Sequence, residues 1–128
     1  MTRKVLKLTA GSSEIEELDL DASEGSLAVL QRAVDGLIQP VQLKHGDLEF
    51  EMYVNEEFLY SSETLNDAAS ILWVRTNDDH MFVLGNAVVT GGLDFESGET
   101  LGVTPEIEDY VRQIAGLPEF LKFGELWG

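Results

Sequence analysis

Apolar and polar residues alternate most regularly along the segment LEFEMYV, residues 48–54. One side of this segment collects Leu48, Phe50, Met52 and Val54, and the other collects Glu49, Glu51 and Tyr53. A period of two is typical of a strand with one buried face. We therefore predict a strand whose Leu/Phe/Met/Val side faces the core, with Glu49, Glu51 and Tyr53 facing solvent.

Two further strands are predicted near the N-terminus. Residues 3–9 place Leu6 and Leu8 on one face, with Lys7 opposite. Residues 14–20 alternate again, except that Ile15 is out of phase, which a bulge near Glu16 would repair. Gly11-Ser12-Ser13 is a turn signal between the two segments, so we expect them to pair as a hairpin.

Helical spacing of apolar residues predicts three helices. The first covers residues 23–36, with Ser23 or Ser26 as N-cap and Gly36 in the left-handed position at its end. A short second helix covers residues 67–74 after Thr64 or Asn66. The third begins at Thr104-Pro105 and ends at Gly116.

The remaining apolar segments complete the predicted sheet. Residues 38–43 are short and extended, and residues 81–92 predict a buried strand with a bulge or kink at Gly85. The expected fold class is α+β, with one mainly antiparallel sheet and two to three helices packed on it. We expect one domain over residues 1–116, and an apolar tail over residues 117–128 that docks on the domain or on a partner.

Composition bounds the class of protein. A chain of 128 residues with 44% hydrophobic content fits a single core. It has no cysteine, which excludes disulfides and thiolate metal sites. No apolar run approaches the ~20 residues that span a bilayer, and Lys7 and Thr9 interrupt the first apolar segment. We therefore expect neither secretion nor membrane insertion, and a cytoplasmic location.

The net charge of −16 changes the expected partners. Residues 14–24, 47–67 and 76–111 contain many acidic residues and no Lys or Arg. Such a surface repels phosphate groups, so direct binding of nucleic acid or of an anionic membrane is disfavoured. A positively charged protein would be attracted. The alternative is that the negative charge only keeps the protein soluble and serves no specific binding.

The segment VNEEFLYSSETLN supplies the candidate binding residues. Asn55, Glu56, Glu57 and Asn66 would share one edge of the sheet, where they could bind a small ligand. Glu56 and Glu57 could also act as a carboxylate pair. The alternative is structural, because an Asn/Glu turn and an Asn cap both use side chains to bond the backbone.

The tail is a second candidate surface. It holds large apolar residues on a short segment, of which Trp127 is the best candidate for a binding hot spot. Docking of the tail on the domain's own core is the first expectation, and an interface with a partner or a homodimer contact is the alternative.

Other polar clusters carry no expected chemistry. Residues 77–80, NDDH, have metal-compatible side chains, but neighbours in a loop rarely point at one ion. His45 and His80 lie beside turn residues without an evident catalytic partner. We expect no catalytic residue, no metal site and no cofactor.

Four short motifs in order resemble a known family. They are Asp35 to Gln39, Val54-Asn55-Glu56-Glu57, Leu65-Asn66, and Gly85 to Gly91. Their order and spacing resemble a family of small proteins common in phages, plasmids and actinobacteria, catalogued as domain of unknown function 3846. The resemblance implies a mobile-element origin and an intracellular setting, and it implies no activity.

These observations lead to one expected function and one alternative. We expect a non-enzymatic accessory protein of a phage or mobile element that binds and modulates a host protein. A sharper version is an acidic mimic of DNA that occupies a nucleic-acid-binding groove. The alternative is a small-ligand-binding protein or enzyme that uses the Asn55/Glu56/Glu57/Asn66 edge.

Overall fold

A computed structural model describes residues 3–12, 14–57, 64–76 and 82–116 of the chain. Its five strands are β1 (Lys4–Leu8), β2 (Ile15–Asp19), β3 (Ile38–His45), β4 (Leu48–Asn55) and β5 (Ala87–Thr90). Its three helices are α1 (Ser26–Val34), α2 (Asp67–Thr76) and α3 (Pro105–Ala115). The strands form one sheet in the order β2-β1-β5-β4-β3, and each neighbouring pair is antiparallel. The predicted α+β class is confirmed.

Helices cover both faces of this sheet. On one face, α2 and α3 pack with the strands around a core that includes Leu6, Phe50, Met52, Ile71 and Val111. On the other face, α1 packs over a smaller core that includes Val5, Leu20, Leu30, Tyr53 and Val88. A sheet between two helical layers needs apolar residues on both faces, which is why β1 buries Val5 as well as Leu6.

Strand β4 follows the predicted alternation on one face and departs from it on the other. Phe50, Met52 and Val54 lie in the core under α2 and α3, as predicted. The prediction that Glu51 and Tyr53 face solvent is wrong, because they are 4% and 8% exposed. Tyr53 belongs to the core under α1, so the second face of the strand is covered by structure that alternation alone does not reveal.

Strands β1 and β2 pair without the predicted bulge. The register runs without interruption from Leu8↔Ile15 to Lys4↔Asp19 in these two described strands. Ile15 packs against the core under α2 and α3, whereas Leu18 packs against the core under α1. The two residues are out of phase because they serve opposite faces of the sheet.

Helix α1 begins and ends differently from the prediction. Its N-cap is Gly25, so neither predicted serine makes a side-chain cap. The left-handed residue at its end is Asp35, with φ 61°, one position before the predicted glycine. Gly36 is needed for close approach instead, because a Cβ there would lie 2.7 Å from Nδ2 of Asn55.

The other two helices match their predicted caps more closely. Oδ1 of Asn66 accepts a hydrogen bond from the amide of Ala69 at the start of α2. Thr104 caps α3 by accepting from the amide of Ile107, and Gly116 ends that helix. Strand β5 is shorter than predicted, since it begins at Ala87 after a bend at Gly85, where φ is 82°.

Two predicted features cannot be compared with this fold. The tail over residues 117–128 and the loop over residues 77–80 lie outside the described residues. Within the described ranges, none of the helices is both long and apolar enough to cross a bilayer.

Candidate functional site

Asn55, at the end of β4, bonds the backbone on both sides. Its Nδ2 donates to the carbonyl oxygens of Val34 and Asp35, at 3.1 and 3.3 Å, where α1 ends. Its Oδ1 accepts from the amide of Glu57 at 2.8 Å. The side chain therefore joins the end of a helix to the turn that follows a strand.

Glu56 and Glu57 occupy that turn with exposed side chains. The amide of Glu56 donates to the carbonyl oxygen of Leu37 at 2.8 Å. Neither carboxylate takes part in an ion pair with another described residue. The backbone of the turn is fixed, and both acids remain available to solvent or a partner.

Asn66 is 1% exposed and lies between α2 and the strands. Its Nδ2 donates to the carbonyl oxygens of Leu8 and Gly85, at 2.8 and 3.0 Å, while its Oδ1 caps α2. Both hydrogens of the amide are therefore used by main-chain groups. Burial without loss of hydrogen bonds explains how a polar side chain is tolerated at this position.

A third asparagine at the same end was missed by the sequence reasoning. Asn86 accepts from the amide of Ala10 at 3.0 Å through Oδ1 and donates to the carbonyl oxygen of Ala33 at 3.3 Å through Nδ2. The signal was present, since Asn86 directly follows Gly85 and precedes the buried strand. The three asparagines connect both helical layers to the ends of the central strands.

The predicted edge is therefore partly assembled. Asn55 and Asn66 lie at the same end of the sheet, but Asn55 bonds α1 on one face and Asn66 caps α2 on the other. The ligand-binding role of Asn55, Glu56, Glu57 and Asn66 stays a prediction. Trp127 lies outside the described residues, so its role stays a prediction as well.

Most of the basic side chains are engaged by carboxylates. Ion pairs involve Arg3, Lys4, Lys7, Arg32, Lys44 and Arg112. One group joins Lys4 and Arg112 to Glu108, each at 2.7 Å, and Lys4 more than Arg112 holds the pKa of Glu108 below its ordinary value. The cations are thus largely neutralised locally.

Many exposed acids remain without a cation. In the part of the chain that the structure describes, these exposed residues form no ion pair: Glu14, Asp19, Asp35, Asp47, Glu56, Glu57, Glu96, Glu99, Glu106 and Asp109. Most lie in turns and connecting segments, while Asp19 lies in β2 and Glu106 and Asp109 lie in α3. The surface potential is therefore set by carboxylates.

One carboxyl group is buried instead. Glu51 lies in β4 opposite Gln42, whose Nε2 donates to Glu51 Oε2. Oε1 of Glu51 has no hydrogen-bond partner among the described residues. Burial raises the pKa of Glu51 above its ordinary value, and the hydrogen bond from Gln42 opposes that rise.

Residues 91–101 form a short hairpin that we call the arm. Amide-to-carbonyl bonds of 2.8 Å join Gly91 to Leu101, Leu101 to Gly92, and Asp94 to Glu99. The arm is anchored to the sheet where Arg3 Nη1 donates to the carbonyl oxygen of Thr100 at 2.9 Å. At its tip Phe95 is 92% exposed.

The structure describes one of the two histidines and part of the acidic residues that could hold a metal ion. His45 stacks on Tyr110 with 4.3 Å between ring centroids. Across the described ranges, His, Asp and Glu side chains form no group of three or more that could hold a metal ion. His80 lies outside those ranges.

The fold and surface define a class: a small α+β protein with an antiparallel sheet between helical layers and a predominantly acidic exterior. Within that class, the chain belongs to the family described as domain of unknown function (DUF3846), whose sequence model matches residues 1–115. The resemblance drawn from its motifs is thereby confirmed. No curated protein and no solved structure matches the chain.

Proposed function

We propose that this protein is a small acidic accessory protein that binds and modulates a positively charged host protein. The observation that carries the proposal is the set of exposed carboxylates that form no ion pair with another described residue. With a net charge of −16, long-range attraction would select a basic surface and speed association with it.

The same charge distribution makes phosphate-bearing partners poor candidates. Binding of DNA or RNA draws its affinity from Lys and Arg that displace counterions. Here Arg3, Lys4 and Arg112 are already held by Asp21, Glu17 and Glu108. A partner that itself binds nucleic acid fits better, because its basic groove is complementary to this surface.

The sharper form of the proposal is mimicry of DNA. The acids sit on a rigid frame, since Asn55 fixes the turn that carries Glu56 and Glu57. A turn whose backbone is already fixed presents its carboxylates to a basic groove without loss of loop freedom, which favours affinity. The origin in a phage or mobile element, which the family resemblance implies, is part of the proposal.

The test is capture of a partner from nuclease-treated lysate of the host cells. The tagged full chain is the bait, and an unrelated protein of similar size and negative charge is the matched control. Capture of a stoichiometric protein by this chain but not by the control supports binding. Capture of the same set of basic proteins by both baits would mean that the negative charge serves solubility and not specific binding.

A second step separates mimicry from other binding. The purified partner is loaded with labelled DNA or RNA, and the chain is added in increasing amounts. Mimicry predicts displacement of the nucleic acid at stoichiometric protein, whereas an undisturbed complex would contradict mimicry. Trp127→Ala in the same assay reports on the apolar tail, whose contribution would persist at ~1 M salt.

A further inference from the structure

A depression of about 220 Å³ lies between the arm and strands β3 and β4. Its walls are Gln42 and Glu49 from the sheet, Phe50, and Leu93 and Phe95 from the arm, with Gly91 and Gly92 at its base. The lining thus combines an aromatic ring, apolar side chains, a carboxylate and an amide. Such a mixture suits a side chain with a long apolar stem and a charged head.

Phe95 is held in this position by the backbone of the arm. Asp94 Oδ1 accepts from the amide of Glu96 at 3.0 Å, and its Oδ2 accepts from the hydroxyl of Ser97 at 3.0 Å. Gly98 closes the turn by donating to the carbonyl oxygen of Asp94 at 2.7 Å. The turn that presents this exposed ring is preorganised, so its backbone loses little freedom on binding.

Negative charge surrounds the ring. Asp94 and Glu96 flank Phe95 in sequence, and the hydrogen bond from the Glu96 amide, followed by that from Ser97, lowers the pKa of Asp94. Glu49 pairs with Lys44 across 3.8 Å, and their side chains are 74% and 66% exposed. An exposed pair of this kind is weak, so an incoming cation can replace Lys44 at Glu49.

We propose that this depression binds an arginine side chain of the positively charged partner, an inference that rests on the proposed function and assigns its contact point. The guanidinium stacks on Phe95 and donates to Glu49, and its stem lies against Leu93. Gln42 adds a carbonyl acceptor, because its Nε2 is already used by Glu51. Arginine fits better than lysine, since its planar head stacks on a ring while it bonds a carboxylate.

The test uses a defined probe, a peptide of Arg-Gly repeats, titrated into the full chain at about 20 mM salt, where surface charges are little screened. The same peptide with lysine in place of arginine measures charge alone. We expect the arginine peptide to bind more tightly, and Phe95→Ala to weaken it about fivefold. Phe95→Tyr keeps the ring and should bind like the unchanged protein.

Two matched controls separate the site from general attraction. Leu37 is 60% exposed near the other end of the sheet, so Leu37→Ala should leave binding unchanged. Glu49→Gln and Glu14→Gln remove the same charge from different places, and only the first should weaken binding several-fold. Amide chemical shifts should change most in residues 91–101 and around Gln42.

Each contrary result has a distinct meaning. Equal losses for Glu49→Gln and Glu14→Gln, or unchanged affinity for Phe95→Ala, would overturn the arginine site and leave binding of a basic protein standing. Equal affinity for the arginine and lysine peptides would overturn it as well. The proposed function fails separately, when lysate yields no partner specific to this chain.

Discussion

The side-chain amide of Asn66 shows how much of this fold depends on single residues. It caps α2 and bonds the carbonyl oxygens of Leu8 and Gly85 while almost completely buried. Asn55 and Asn86 bond the backbone at the same end of the sheet, where α1 ends. Polar residues that sequence reasoning treats as a candidate site thus act here on the main chain.

Asn66→Ala should destabilise the protein by about 3 kcal/mol, because it removes a cap and leaves two buried carbonyl oxygens unpaired. Asn55→Ala should cost less, about 1 kcal/mol, because its turn is open to water. Urea denaturation monitored by circular dichroism measures both. A loss below about 0.5 kcal/mol for Asn66→Ala would show that these bonds contribute little.

Glu51→Gln should stabilise the protein at pH 7 by about 1 kcal/mol, since a buried carboxylate with an unpaired oxygen is replaced by a neutral amide. Folding raises the pKa of Glu51. The destabilisation caused by ionising this buried carboxyl group is therefore absent below the ordinary glutamate pKa of 4.5 and grows as the pH rises toward the raised pKa. The gain should therefore vanish in acid. Thermal unfolding at several pH values measures this gain, with the exposed Glu49→Gln as control. A stability difference between Glu51→Gln and the unchanged protein that does not vary with pH would contradict the prediction.

At the scale of elements, alternation and capping predicted most of the structure. Strand β4 and the starts of α2 and α3 lie where the sequence places them. The second face of the sheet could not be predicted, because Tyr53 is buried by packing with residues of α1, which alternation within β4 does not reveal. The depression beside the arm was missed because it forms only where residues 91–95 approach β3 and β4, although Phe95 between two acids was a visible signal.

The close approach of Gly91, at the start of the arm, to Gly102 also escaped prediction. A Cβ added at Gly91 would lie 2.0 Å from the carbonyl oxygen of Gly102, so this position accepts no side chain without a backbone shift. Gly91→Ala should cost about 2 kcal/mol or more and loosen the arm. Gly116→Ala is the comparison: a Cβ there would lie 3.2 Å from the carbonyl oxygen of Arg112, a milder approach in right-handed backbone, so it should cost less. Equal stability of both variants would contradict the crowding.

The whole molecule carries a net charge of −16 on a small frame, so its carboxylates repel one another. Moderate salt should therefore stabilise it, raising the melting temperature by about 3 °C between low salt and ~0.5 M NaCl. A melting temperature that falls with salt would mean that the ion pairs of Arg3, Lys4 and Arg112 outweigh this repulsion. Scanning calorimetry at constant pH measures whether the melting temperature rises or falls with salt.

The most direct test of the central claim is the dissociation constant of the captured host partner, measured by titration across a series of salt concentrations. Binding through the exposed carboxylates predicts a steep loss of affinity, more than tenfold between ~0.05 and ~0.5 M NaCl. Most of this loss should come from a lower association rate constant. A dissociation constant that does not change across the series would contradict an acidic binding surface and move the interface to apolar residues.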